Sequence, residues 1–163
     1  MSQVNDELVV YCDADFAGDK ESRRSTSGHI SLLNGNAISW SSSIQRVTAL
    51  STTESEYMAL TDALRDILWL RLLLKELGAQ QKSPTVIHVD NQGAIALSRN
   101  PEFQKRTKHI VVKYHRVREE QETGTIDIAY VETNEQLADF LTKCMGGKKL
   151  RHFMEQMELT KFD

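Results

Sequence analysis

Across residues 51–77, apolar side chains recur at helical spacing, and no other segment restricts the fold of this chain so strongly. Ser51-x-x-Glu54 forms a capping box at the start, and Gly78 stands where such a helix stops. One stripe runs through Glu56, Leu60, Ala63, Ile67, Leu70, Leu74 and Leu77, so an acid heads the seam that must pack on the rest of the protein.

The surface beneath that seam is predicted to be a sheet. Residues 8–13 (LVVYCD) are β-rich, and residues 28–33 and 37–42 flank Asn34-Gly35-Asn36, a hairpin-type turn signal. Residues 85–90 (TVIHVD) predict a fourth strand and residues 125–131 (TIDIAYV) a fifth. Between them lie a short helix over 91–98, ended near Asn100-Pro101, and a basic helix over about 107–122, broken by Gly124. Thr133-x-x-Gln136 predicts a capped helix reaching about Lys143, and an amphipathic piece over 148–159 follows. This order implies an α/β fold with a mixed five-stranded sheet. Its first three strands are antiparallel, the later ones enter through helical crossovers, and helices cover both faces.

At 163 residues, 40% hydrophobic and 26% charged, the chain has the bulk of a single domain, with a core over about 7–145 and a helical extension over about 147–160. Cys12 and Cys144 stand too far apart to suggest a disulfide framework or a zinc site, which fits a reducing, intracellular setting. No apolar stretch reaches a bilayer-spanning length and the first residues lack signal-peptide character, so a protein without membrane attachment is expected. The net charge of -3 argues on average against a nucleic-acid partner. The average conceals a local excess: from residue 99 to 118, Arg99, Lys105, Arg106, Lys108, Lys113, Arg116 and Arg118 face a single acid, Glu102.

Four acids draw attention, each with an ordinary explanation beside the functional one. Val9, Tyr11, Asp13 and Asp15 project to one side of the first strand, so either Asp could be functional, or could merely begin a turn. Glu56 lies on a buried stripe, where an unpaired carboxylate costs several kcal/mol unless a cation or several donors stand nearby. Its alternative is a partly solvated acid favoured by the helix dipole. Asp90 closes the fourth strand and would equally serve as a helix N-cap. Asp139 lies off the apolar stripe of its helix, as a solvated acid would. Brought together at the carboxyl ends of adjacent strands, these acids would repel one another and demand divalent cations, with magnesium favoured by an all-oxygen donor set.

Six segments then resemble one family. Residues 11–19 (YCDADFAGD), 23–28 (RRSTSG), 51–60 (STTESEYMAL), 88–94 (HVDNQGA), 108–110 (KHI) with 114–115 (YH), and 135–143 (EQLADFLTK) are similar, in order, to the ribonuclease H domain of copia-type LTR retrotransposon Pol polyproteins. The resemblance implies the ribonuclease H fold. It also implies hydrolysis of the RNA strand of RNA/DNA hybrids to 5′-phosphate and 3′-hydroxyl ends during reverse transcription, with Asp13, Glu56, Asp90 and Asp139 as the catalytic, metal-binding acids. Asp15 is the runner-up on the first strand. By the same resemblance, Asp13 bridges two Mg²⁺ ions about 4 Å apart, Mn²⁺ being able to substitute; Asp139 helps hold the ion that activates water, and Glu56 and Asp90 the one beside the leaving oxygen. Glu56 is also placed to touch a 2′-hydroxyl.

Many ribonucleases H carry a mobile His between the last strand and last helix, whereas residues 125–139 contain none, as is general in the copia-type pattern. Val111 and Cys144 also depart from the pattern, away from the four acids. His109 and His115 could replace the missing His, or have structural or surface roles. Arg24 and Ser25, in the loop after the first-strand acid, and Arg106, Lys108, Lys113 and Arg116 are candidate nucleic-acid contacts, with a solvated basic helix as the plainer alternative for the last four. Trp40 and Trp69 suit packing better than base stacking.

The implied partners are an RNA/DNA hybrid and the reverse transcriptase domain of the same polyprotein. The isolated domain is expected to be a monomer located in the cytoplasm, a virus-like particle or the nucleus. Two other functions compete. One is a catalytically weak or domesticated nucleic-acid- or protein-binding module. The other is a strand-transfer enzyme of the integrase or transposase kind, built on the same fold.

Overall fold

In the computed structural model, the described residues are 7–100 and 108–157, and of residues 108–114 only the backbone is described. Five strands, β1 (Leu8–Asp15), β2 (Thr26–Leu33), β3 (Asn36–Ile44), β4 (Thr85–Val89) and β5 (Ile126–Tyr130), form one sheet in the order β3-β2-β1-β4-β5. β1, β2 and β3 pair antiparallel, whereas β4 joins β1 and β5 joins β4 in parallel. This is the expected mixed sheet. The hairpin closes through Asn34 and Gly35, both at positive φ (52° and 84°), the conformation that an Asn-Gly pair adopts in tight two-residue turns.

The helices are α1 (Thr52–Glu76), α2 (Gln92–Arg99), α3 (Lys108–Glu122), α4 (Asp139–Thr142) and α5 (Gly147–Gln156). α1, α2 and α3 cover one face, where Leu60, Ala63, Leu64, Ile67, Ile95 and Val117 bury Val10, Cys12, Ile87 and Ile128. α4 and α5 cover the other, where Phe153, Met157 and Leu137 pack on Ile30 and Leu32. The Ser51 half of the capping box forms, its hydroxyl accepting from the Glu54 amide, while the Glu54 carboxylate reaches one residue further back and accepts from the amide of Leu50. Its stripe is buried from Glu56 through Leu74, but Leu77 is the C-cap and exposed, because the chain turns away there before Gly78.

The segment after β5 departs from expectation. Residues 133–143 do not form one capped helix; a 3₁₀ turn, Thr133–Glu135, is followed by the four-residue α4. Gln136 does not close a capping box with Thr133, since its side chain is fully buried and hydrogen-bonded to the sheet. Asp139 therefore opens α4. Trp40 and Trp69 are 66% and 57% exposed, neither in the core.

Candidate metal centre

Alternation along β1 sends Leu8, Val10 and Cys12 toward α1 and Tyr11 toward the α4 face, and Asp13 shares the Tyr11 side. Its carboxylate is fully buried. The Thr142 hydroxyl donates to Asp13 Oδ2, and Lys143 Nζ lies 3.3 Å from Oδ1 and 3.2 Å from Oδ2. Burial pushes the Asp13 pKa up, an effect that the Thr142 hydrogen bond and the Lys143 charge reduce without cancelling.

α1 reaches the same place from the opposite face. Gln45 fixes its start, donating from Nε2 to the Ser55 carbonyl at 2.9 Å and to the Ser27 hydroxyl at 2.8 Å. Glu56 is 4% exposed, and its pKa is pushed up to about 9, first by burial and then by the charges of Asp13 and Asp90. The Ala14 amide bonds its carboxylate, but Glu56 Oε2 is buried with no hydrogen-bond partner among the described residues. The solvated alternative for Glu56 is thus removed.

Asp90 follows β4 and is half-buried. The N-cap of α2 is its neighbour Asn91, whose side chain accepts from the Ala94 amide at 2.9 Å, so the Asp90 carboxylate is not committed to capping. One oxygen from each of Asp13, Glu56 and Asp90 lies within 4.8 Å of the others. Three carboxylates this close, two after parallel central strands and one at the start of α1, cannot all ionise unaided, and the orphaned Glu56 oxygen calls for a proton or a cation. An all-carboxylate donor set is hard, and it fits a divalent cation of the magnesium or manganese kind better than a thiophilic one.

Asp139 is not in that trio. Its Oδ1 receives Lys143 Nζ at 2.8 Å and its Oδ2 receives Lys149 Nζ, from α5, at 2.7 Å. Lys143 therefore links Asp139 to Asp13. Asp15 also stands outside the trio; its carboxylate folds back over Gly18, where it fills the space a Cβ would need.

Two residues that position the site carried other readings in the sequence, Gln136 as a helix cap and Gly28 as the start of a strand. Gln136 Nε2 donates to the Cys12 carbonyl of β1 at 3.0 Å and the His88 carbonyl of β4 at 3.4 Å, while Oε1 accepts from the Ala138 amide. The side chain fastens the start of α4 to the two strands that carry Asp13 and Asp90. The only available signal was a Gln set between Glu135 and an apolar pair beside Asp139. Gln136→Leu leaves those strand carbonyls without that donor and is expected to cost about 1–3 kcal/mol, read as a lower urea midpoint with an unchanged m-value. Gly28 pairs with Asp13 across the sheet; a Cβ there would come within 2.7 Å of Thr142 Cγ2 and 2.9 Å of Leu141 Cβ.

The candidate nucleic-acid contacts divide. Arg24 is exposed on the loop after β1. Ser25 is buried at 1% exposure, its hydroxyl accepting from the Ala17 amide at 3.1 Å, so it shapes that loop from within. Arg116 is exposed but pairs along its own helix with Glu120 at 2.7 Å and Glu119 at 3.6 Å. Arg106 lies outside the described residues, as do the side chains of Lys108, Lys113 and His109, although α3 includes the last three. His115 is exposed. No helix among the described residues is long and apolar enough to cross a membrane.

No protein-family model matches the chain. Among curated proteins, it is 45% identical over 142 residues to the retrovirus-related Pol polyprotein from transposon TNT 1-94 of Nicotiana tabacum, a match covering 87% of this chain and 11% of that protein. It is 40% identical over 154 residues to the Pol polyprotein from transposon RE1 of Arabidopsis thaliana, covering 94% and 10%. The chain thus spans about a tenth of the length of these relatives. Among solved structures, LC11-RNase H1 in complex with an RNA/DNA hybrid superposes with a TM-score of 0.59 at 14% identity, over 83% of this chain and 94% of that one. The fold is that of ribonuclease H.

Proposed function

We infer that this chain, similar over most of its length to copia-type Pol polyproteins and built on the ribonuclease H fold, is their ribonuclease H domain and cuts the RNA strand of RNA/DNA hybrids. One observation carries the reading: Asp13, Glu56 and Asp90 converge within 4.8 Å, with a buried Glu56 oxygen left unpartnered. Asp13, Glu56 and Asp90 would hold one Mg²⁺, and Asp13 with Asp139 a second, Mn²⁺ being able to replace either. Bound there, the ions would supply Lewis-acid stabilisation to the attacking and leaving oxygens of an in-line displacement at phosphorus, which would leave 5′-phosphate and 3′-hydroxyl ends.

The chain's own residues prepare that site. Thr142 fixes the Asp13 carboxylate, and the Ala14 amide orients Glu56. Asp90 alone of the trio is half-exposed, so substrate reaches the site from its side. Arg24 stands on the loop that leaves β1 and offers a cation to the phosphates of the hybrid. In its polyprotein the domain works beside the reverse transcriptase segment, removing copied template RNA in the cytoplasm or a virus-like particle; the isolated domain is a monomer.

The Lys143 and Lys149 pairing of Asp139 favours a second reading, a module that binds hybrids with little turnover. Incubation with labelled RNA/DNA hybrid, single-stranded RNA, duplex RNA and duplex DNA, in magnesium or EDTA, separates the two. Magnesium-dependent loss of hybrid RNA alone is expected, and Asp13→Asn is expected to abolish it. Hybrid bound yet uncut by folded, metal-loaded protein supports the second reading, and cleavage or joining of duplex DNA overturns both.

A further inference from the structure

The ammonium of Lys143 lies between the two carboxylates that the proposed second ion would bridge, 2.8 Å from Asp139 Oδ1 and 3.2 and 3.3 Å from the oxygens of Asp13. Lys149 takes the remaining Asp139 oxygen at 2.7 Å. Both oxygens of Asp139 therefore already face a positive charge, whereas the trio on the other side of Asp13 has an oxygen with no partner. We propose that Lys143 is a built-in cation for the Asp13–Asp139 pair, which excludes a second divalent ion until its side chain swings away, so that without nucleic acid the protein takes one ion only. The inference rests on the metal-dependent reading above.

The local structure suits such a role. Lys143 is the residue just after α4, four positions from Asp139, so the helical turn sets its ammonium beside that carboxylate. Its side chain is 38% exposed, and the tip can leave for solvent without disturbing the core. An ammonium and a divalent ion repel strongly at contact distance in a partly buried site, so they exclude each other from these oxygens. Lys149 comes from α5 and reaches Asp139 alone, so its removal frees one oxygen of one carboxylate and opens no bridging position. Lys143 and Lys149 thereby balance the charges of Asp13 and Asp139, while the unpartnered Glu56 oxygen directs the first ion to the trio.

The test is ion binding in the absence of nucleic acid, by calorimetric titration with Mg²⁺ and by electron paramagnetic resonance with Mn²⁺, on the wild type, Lys143→Met, Lys143→Gln and Lys149→Met. The Gln variant keeps a polar donor near both carboxylates and serves if the Met variant does not fold. One ion is expected on the wild type and on Lys149→Met. Two are expected on either Lys143 variant, with second-ion affinity at least tenfold above any seen in the wild type, and with spin–spin coupling between neighbouring Mn²⁺ ions in the spectrum. A folded Lys143 variant that stays at one ion overturns the proposal, as does a wild type that already binds two with equal strength. A second ion on Lys149→Met overturns the assignment to Lys143. A wild type that takes no ion overturns the metal-dependent reading itself, a result distinct from the others.

Discussion

Replacing Glu56 with Gln is expected to abolish hybrid cleavage and, in EDTA, to make the folded protein more stable. The activity loss is roughly a thousandfold or more, because a charged ligand of the ion is removed and several kcal/mol of transition-state stabilisation go with it. The gain in stability has the same origin. Without a cation, burial first and then the charges of Asp13 and Asp90 push the Glu56 pKa up from 4.5 to about 9. A carboxyl whose pKa is raised by folding contributes full stability below its unfolded pKa, and that contribution is lost as pH climbs from about 4.5 toward 9. At pH 7 the loss is on the order of 3 kcal/mol, which Gln avoids by never ionising. The amide can also donate to the neighbouring acids. Thermal melts in EDTA should therefore show the variant and wild type close together at pH 5 and well separated at pH 8, with the variant higher. Magnesium should then stabilise the wild type and leave the variant nearly unchanged. Equal melting temperatures at pH 8 in EDTA would show that Glu56 is not strained by its neighbours.

Gly28→Ala should damage the site from the opposite side of the sheet without touching an acid. Gly28 lies across from Asp13, and the added Cβ would stand 2.7 Å from Thr142 Cγ2, 2.9 Å from Leu141 Cβ and 3.3 Å from the Ala138 carbonyl. None of these is the free end of a long side chain, so α4 must move outward as a unit. Overpacking of this kind costs about 1–3 kcal/mol. Thr142, the last residue of α4, donates to Asp13, so the shift should also separate it from that carboxylate. A lowered melting temperature is expected, together with a fall in kcat larger than any change in KM, since the displaced hydroxyl orients a catalytic carboxylate. Wild-type kcat in a destabilised Gly28→Ala protein would disprove the link between α4 seating and Asp13.

How much of this was legible in the chain follows from how local each cause is. The α1 stripe, the Asn34-Gly35 turn and the five strands depend on neighbours within a few residues, and apart from Leu77 they appear where periodicity and turn chemistry placed them. The buried acid at position 56 was visible for the same reason: helical spacing alone puts it above Leu60 and Ala63. Asp90 was ambiguous because an acid and an amide stand side by side ahead of α2, and only the Asn91–Ala94 hydrogen bond shows which of them caps it. The helix over 133–143 was misread because Thr133-x-x-Gln136 is a good local capping signal, whereas Gln136 is drawn into the sheet by carbonyls of Cys12 and His88, 124 and 48 positions away. Ser25 is buried, and its hydroxyl accepts from the Ala17 amide within the same loop, a contact that loop folding sets and periodicity does not.

The four acids were proposed as one set, and the folded chain sorts them by what surrounds each. Sequence by itself determined that the chain would form a mixed sheet with an acid at the head of its longest buried seam, because side-chain periodicity is a property of consecutive residues. Only tertiary structure decided that Asp13, Glu56 and Asp90 share one space while Asp139 meets Asp13 through Lys143 and pairs with Lys149, because distances between strand ends and helix starts are set by packing across the sheet.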